Sequence, residues 1–164
     1  MFLSEIDSPL GPLGIAAGDE AVIAVAFGPE RQQVLAKLKV RGDESENRIS
    51  RLAASQLREY FAGRRKQFAL PVELSALTPF SQKVLNTLAE VPFGRQLTYG
   101  QLAQKAGRAG AARAIGRIMA SNPIPLIIPC HRVIGAGGKM TGYSGGEGIK
   151  TKVWLLDFEA EKVN

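Results

Sequence analysis

Apolar and polar positions divide the chain into two stretches of different character. In the first, Phe2 to Asp7, Leu13 to Ala17 and Ala21 to Phe27 are short β-compatible runs. They are separated by Ser8-Pro9-Leu10-Gly11-Pro12 and Gly18-Asp19-Glu20, turn compositions that suit a β-meander. Gln32 to Val40 and Asn47 to Phe61 then read as helices. In the latter, Ile49, Leu52, Ala53, Leu57, Tyr60 and Phe61 recur at helical spacing, and Gly63 is placed to stop it. The segment from Gly63 to Ser75 lacks clean periodicity and is expected to hold a boundary, which divides the chain into domains at 1–76 and 77–164.

The second stretch has stronger punctuation. Thr78 can cap a helix with Pro79 at its first position, and Phe80, Val84, Leu85 and Leu88 form its apolar stripe until Val91-Pro92-Phe93-Gly94 ends it. Thr98 can cap a short helix over Tyr99 to Ala106, terminated by Gly107. A second short helix follows over Ala111 to Ala120, with Ile115, Ile118 and Met119 on it, so the pair forms a helix-turn-helix candidate. Arg113 and Arg117 stand there among Gly110, Ala111, Ala112, Ala114 and Gly116, a composition that lets the backbone approach a nucleic-acid groove closely. Asn122-Pro123-Ile124-Pro125 must break the helix, and Asn122 reads as a C-cap. Leu126-Ile127-Ile128 and Arg132-Val133-Ile134 have the character of short buried strand. Gly135 to Lys139 and Gly142 to Gly146 read as loops. A last helix over Lys150 to Lys162 is expected to carry Val153, Trp154, Leu156 and Phe158 into the core.

Composition narrows the possibilities. With 164 residues, 45% hydrophobic and 22% charged, the chain can bury an ordinary core. The longest apolar run, Ala21 to Phe27, cannot span a bilayer, and the N-terminus lacks a basic leader pattern. A reduced, cytoplasmic setting is the expectation. A single cysteine, Cys130, and a single histidine, His131, exclude an intrachain disulfide and a zinc site of four cysteines or of two cysteines with two histidines. Net charge is +6, unevenly spread. Residues 1–78 carry ten basic and ten acidic side chains; residues 79–164 carry eleven and five. No acid occurs from Val91 to Gly146, where Arg95, Lys105, Arg108, Arg113, Arg117, Arg132 and Lys139 all fall. Such a stretch is either a solvated basic face or a polyanion site.

Two motifs could carry chemistry. Gly137-Gly138-Lys139-Met140 fails as a phosphate loop, because Val133 stands where the first glycine is required and Met140 where Ser or Thr should follow the lysine. Pro129-Cys130-His131-Arg132 is different. A lone cysteine is commonly a small buried hydrophobe, but here it adjoins the only histidine inside the basic stretch, a setting expected to lower its pKa and enrich thiolate. Neighbours in an extended strand point to opposite faces, so proton transfer between the two would need a bridging water or a local kink.

Pro129-Cys130-His131-Arg132-Val133, preceded by Asn122-Pro123-Ile124-Pro125 and followed by Gly142-Tyr143-Ser144-Gly145-Gly146, resembles the active-site signature of the O6-alkylguanine-DNA alkyltransferases. The similarity runs from about Phe80 to Glu159 and includes Val91-Pro92-Phe93-Gly94, Thr98-Tyr99-Gly100-Gln101-Leu102-Ala103 and Ala111-Ala112-Arg113-Ala114-Ile115-Gly116. Asp7 to Leu13 more weakly resembles the start of that family's N-terminal domain. The resemblance implies an α/β (α+β) fold: a small ribonuclease-H-like sheet-and-helix domain, then a mainly helical domain with a helix-turn-helix.

The resemblance also implies a reaction: single-turnover transfer of a methyl or larger alkyl group from O6 of guanine, or O4 of thymine, to Cys130. His131 would deprotonate Cys130 through a water, with Glu159 holding the imidazole; otherwise Glu159 reads as a surface charge. Asn122 would support the active-site segment and Tyr99 would donate to the leaving base. Arg113 would fill the stack vacated by a flipped nucleotide, and Tyr99, Gly100, Ala112, Ala114 and Gly116 would lie against the minor groove of double-stranded DNA. Met119, Pro125, Val133, Tyr143 and Ser144 would line the alkylguanine pocket. No cofactor and no metal is implied, since the N-terminal cysteines and histidines of zinc-binding members are absent here. Ala120-Ser121 also departs from relatives with a basic residue and a glycine. No membrane partner is expected, and the protein is expected to be a monomer without DNA. Two other functions compete: a lesion-binding alkyltransferase-like protein, disfavoured by Cys130, and a thiol hydrolase that turns over.

Overall fold

The computed structural model describes residues 1–28, 36 and 45–164. The helix expected over Gln32 to Val40 lies outside the described residues, Ala36 apart. The fold is mixed α+β. Contacts divide the chain into two compact units, Met1–Leu74 and Ser75–Asn164.

In the first unit, β1 (Phe2–Ile6), β2 (Leu13–Ala17) and β3 (Val22–Phe27) form an antiparallel meander in the order β1-β2-β3. Phe2 pairs with Ala17 and Leu13 with Phe27, so β2 is central and all five of its residues are buried. The α1 helix (Arg48–Phe61) packs on this sheet. Asn47 and Ser50 close a capping box at its start, each side chain bonding the other's backbone amide, and Gly63, with φ 74°, follows its end. The buried face is Ile49, Ala53, Ala54, Gln56, Leu57 and Tyr60 with Ser50, whose Oγ accepts from Ser4 Oγ. Leu52, expected on that face, is exposed.

The second unit is mainly helical. Thr78 caps α2 (Pro79–Ala89), which buries Val84, Leu85 and Leu88. A two-residue strand, β4 (Leu97–Thr98), leads directly into α3 (Tyr99–Lys105), where Thr98 and Gln101 form a second capping box. After a turn containing Gly107 and Gly110, both with positive φ, comes α4 (Ala112–Ala120). The pair packs together and against α2, the expected helix-turn-helix. The last helix, α5 (Ile149–Lys162), reaches back to the cysteine-containing turn.

Three expectations fail in this unit. Leu126-Ile127-Ile128 is no strand: Leu126 is buried with φ 72°, and Pro125 and Ile128 form an isolated bridge around it. Cys130–Arg132 is one turn of 3-10 helix, and only Val133–Ile134 is strand, β5, paired parallel with β4. Ala136–Gly138 keeps the irregular character expected of a loop, since Gly137 and Gly138 have φ of 72° and 82°. The third failure concerns α5. Val153 is exposed and Trp154 and Phe158 are half-buried, stacked on one another, whereas Thr151, Lys152, Leu155, Leu156 and Glu159 face inward. Apolarity alone misplaces that face, because Lys152 and Glu159, two turns apart on one side, are buried with partners.

Candidate active site

The site is built around the turn that carries Cys130. Asn122, just beyond α4, anchors the segment leading into it. It is not a C-cap, since Ser121 occupies that place; instead its Oδ1 accepts from Ile124 N (3.0 Å) and its Nδ2 donates to Ile128 O (2.9 Å). The two bonds bracket Leu126 and hold its left-handed backbone, a conformation costing on the order of 1–3 kcal/mol for a non-glycine residue. The same side chain acts on Cys130, whose pKa it lowers.

The turn that follows, Cys130–Arg132, presents three buried side chains in succession. A 3-10 turn rotates neighbours by about a third of a revolution rather than half. This supplies the local kink that an extended strand would have lacked. His131 is fully buried, and its Nε2 lies 2.7 Å from Glu159 Oε2. A carboxylate can only accept, so Nε2 carries the proton of the neutral ring and Nδ1 keeps the free lone pair. Nδ1 is buried and has no hydrogen-bond partner among the described residues.

Glu159, 1% exposed, is the electrostatic centre of the site. Its Oε1 accepts from Arg132 Nε (2.8 Å) and Gly94 N (3.3 Å), and its Oε2 from His131 and from Arg132 Nη2 (3.0 Å). Arg132 Nη1 also donates to Val91 O at 2.7 Å. Burial opposes this charge, but hydrogen bonding and attraction from His131 and Arg132 prevail and hold the carboxyl far below its usual range. The surface-charge reading of Glu159 is thus overturned. Burial dominates for His131 and lowers its pKa, assisted by the charges of Arg132 and Lys152 and opposed by Glu159.

Cys130 contradicts one expectation outright. Burial raises its pKa above the usual thiol value, outweighing the lowering from Asn122, the charge of Lys152 and the backbone bonds of Cys130 and His131. The basic stretch does not make a standing thiolate, because its exposed arginines are solvated while Cys130 is buried.

Lys152 is absent from the sequence-derived set. It is 0% exposed, and its Nζ donates to the carbonyls of Val133 and Thr141, 5.7 Å above the Tyr99 ring. Burial lowers its pKa, opposed by Cys130. Tyr99 Oη donates to the same Thr141 carbonyl at 3.1 Å. Lys152 Nζ therefore ties the Val133 end of the segment to Thr141, and its charge acts on Cys130. The only signal for Lys152 was its seven-residue spacing from Glu159; Arg132 stood inside the motif without an assigned role.

The remaining expected residues separate into two groups. Met119, Pro125 and Val133 are buried and Tyr143 is half-buried, its phenol pushed well above its usual pKa by burial and by the charge of Cys130. Ser144 is exposed and donates to Ala120 O at 3.3 Å, tying the loop to the end of α4. Arg113 projects from α4 as an exposed residue, with Ala112, Ala114 and Gly116 partly exposed beside it and Gly100 exposed at the start of α3. A Cβ at Gly116 would meet open space. These five stand outside the bonded cluster. Among the described residues, no three His, Cys, Asp or Glu side chains gather as ligands for a metal ion.

Comparison with known proteins agrees across both units. The family model for the 6-O-methylguanine DNA methyltransferase DNA-binding domain matches residues 79–161, and that for the ribonuclease-like domain of the same proteins matches residues 1–74. The methylated-DNA–protein-cysteine methyltransferase of Shigella flexneri is 40% identical over 161 residues, covering 94% of this chain and 93% of that one. The Mycobacterium leprae protein of that name is 40% identical, covering 96% and 92%. Among solved structures, Mycobacterium tuberculosis OGT in complex with DNA superposes with a TM-score of 0.84 at 37% identity, covering 99% of this chain and 94% of the other. With its cysteine, histidine and glutamate joined in one buried cluster, the chain belongs to the methylated-DNA–protein-cysteine methyltransferase family.

Proposed function

We propose that the protein repairs DNA by taking the alkyl group of O6-alkylguanine onto Cys130, once per molecule. The observation that carries this reading is the buried cluster. Cys130 is followed by a histidine whose Nε2 proton is committed to Glu159 (2.7 Å), leaving Nδ1 as the free base. A water between Nδ1 and the thiol takes the Cys130 proton to His131, and the imidazolium is stabilised by Glu159. The thiolate then attacks the alkyl carbon in line. A C–S bond forms, the C–O6 bond breaks, and the guanine leaves with the bonding electrons. Because burial disfavours a free thiolate, deprotonation belongs to the encounter with substrate, aided by the charge of Lys152. Tyr99, its hydroxyl turning from the Thr141 carbonyl to the base, provides the donor that offsets charge on the departing guanine.

DNA is bound through α3 and α4. Arg113 enters the stack as the damaged nucleotide rotates out, at a cost of roughly a few kcal/mol. The small residues Gly100, Ala112, Ala114 and Gly116 allow close approach to the minor groove, and Met119, Pro125, Val133, Tyr143 and Ser144 receive the base. In this reading, catalysis and DNA binding belong to the C-terminal domain, 77–164, with the ribonuclease-H-like domain 1–76 in support. The protein acts as a monomer in the cytoplasm without a cofactor. Activity on O4-alkylthymine is the finer extension of the same chemistry.

Mixing the protein with duplex DNA carrying O6-methylguanine and recording the intact mass tests the reading. One added methyl group, lost in Cys130→Ala, supports transfer. Tight binding without a mass change would instead identify a lesion-binding protein, and repeated turnover of an ester or amide a hydrolase.

A further inference from the structure

We propose that Arg132 is a positioning residue of the site: its fork fixes the Glu159 carboxylate so that Oε2 alone serves His131 and holds the imidazole proton on Nε2. The geometry carries the assignment. Arg132 grips both carboxylate oxygens, Nε to Oε1 at 2.8 Å and Nη2 to Oε2 at 3.0 Å. Its third nitrogen is fastened to Val91 O at 2.7 Å, and the guanidinium carbon lies 5.8 Å from the centre of the Phe93 ring. Gly94 N takes a second position on Oε1. With Oε1 occupied from two sides and the arginine itself anchored to the 91–94 segment, the carboxylate is held against rotation and His131 meets a single oxygen.

Only a planar fork can do this. A lysine supplies one point charge and would leave one oxygen ungripped. Removing the cation altogether changes the balance around the ring. The charged and titratable groups facing His131 are Glu159 and Lys152 from α5 and Arg132 and Cys130 from its own turn. Without Arg132, the buried carboxylate would have His131 as its principal cationic partner and would draw a proton onto the ring. That proton would occupy the lone pair needed to accept from Cys130. The catalytic meaning of the lone pair rests on the transfer reading above; the positioning of the ring does not.

His131 is the only histidine, so an untagged, ¹⁵N-histidine-labelled chain gives the signals of one imidazole. The full-length wild type, Arg132→Lys and Arg132→Met would be followed by NMR across pH, with transfer measured on a free O6-alkylguanine base. The wild-type ring is expected to be neutral at pH 7 with its proton on Nε2. In Arg132→Met the ring should titrate at higher pH, and in Arg132→Lys both tautomers should be present, each with transfer slowed about tenfold or more. If Arg132→Met does not fold, the Arg132→Lys spectrum decides alone. An unchanged tautomer and titration in the folded variants would overturn the proposal. Altered His131 signals with no transfer by the wild type would keep the positioning role and remove the transfer reading.

Discussion

At the residue scale, the site is a set of charges taken out of water together, and each is tolerated because of the others. Glu159 is surrounded by Arg132, His131 and the Gly94 amide. This makes stability depend on pH with a definite sign. His131 is pushed below its usual 6.5, so the unfolded chain binds its proton first; the stabilisation is full above 6.5 and is lost as pH falls from there through the lower folded-state value. Glu159 is also depressed, so its contribution is present above its usual 4.5 and is lost on further acidification. Denaturant unfolding across pH should therefore lose stability in two stages, and His131→Gln should abolish the upper one and diminish the lower, which Arg132 still sustains. A single decline, identical in wild type and variant, would contradict the assignment. Glu159→Gln should destabilise by about 3–5 kcal/mol, as loss of one partner leaves a buried cation uncompensated, and urea titration reads this directly.

At the element scale, helix starts were legible and the turns around the cysteine were not. Thr78-Pro79 and Thr98 with Gln101 act within four residues of chain, so their caps follow from local chemistry. Thr98→Ala should cost about 1 kcal/mol in thermal unfolding. Leu126 was misread as strand because its left-handed backbone is imposed by Asn122 and by burial. The inward face of α5 was misread because Lys152 and Glu159 gain partners only when distant segments arrive. His131, Cys130 and Glu159 were reached through motif resemblance, whereas the part of Arg132 needed distances. Gly94 joins two of these segments: its φ is 77°, its amide meets Glu159, and a Cβ there would lie 2.7 Å from Val163 Cγ2. Gly94→Ala should destabilise by about 1–3 kcal/mol, with slower transfer to a free base as α5 shifts. Wild-type melting in that variant would show that the contact is not maintained.

At the scale of the whole molecule, the charge imbalance takes on two separate meanings. The acid-free segment from Val91 to Gly146 contains exposed Arg108, Arg113 and Arg117, suited to phosphates, and buried Arg132, which is occupied by Glu159. DNA affinity should fall linearly in log–log form with salt, by a slope of roughly −0.9 for each phosphate neutralised. A flat response would exclude the basic face as the DNA surface. Arg113→Ala should impair repair of duplex DNA far more than reaction with a free base; equal losses would contradict the place in the vacated stack proposed for it. The most direct test of the central claim remains the intact mass after reaction with duplex O6-methylguanine DNA. One methyl group per protein molecule is expected, mapped to Cys130 and absent in Cys130→Ala. An unmodified Cys130 after full incubation of folded protein with the lesion would contradict it.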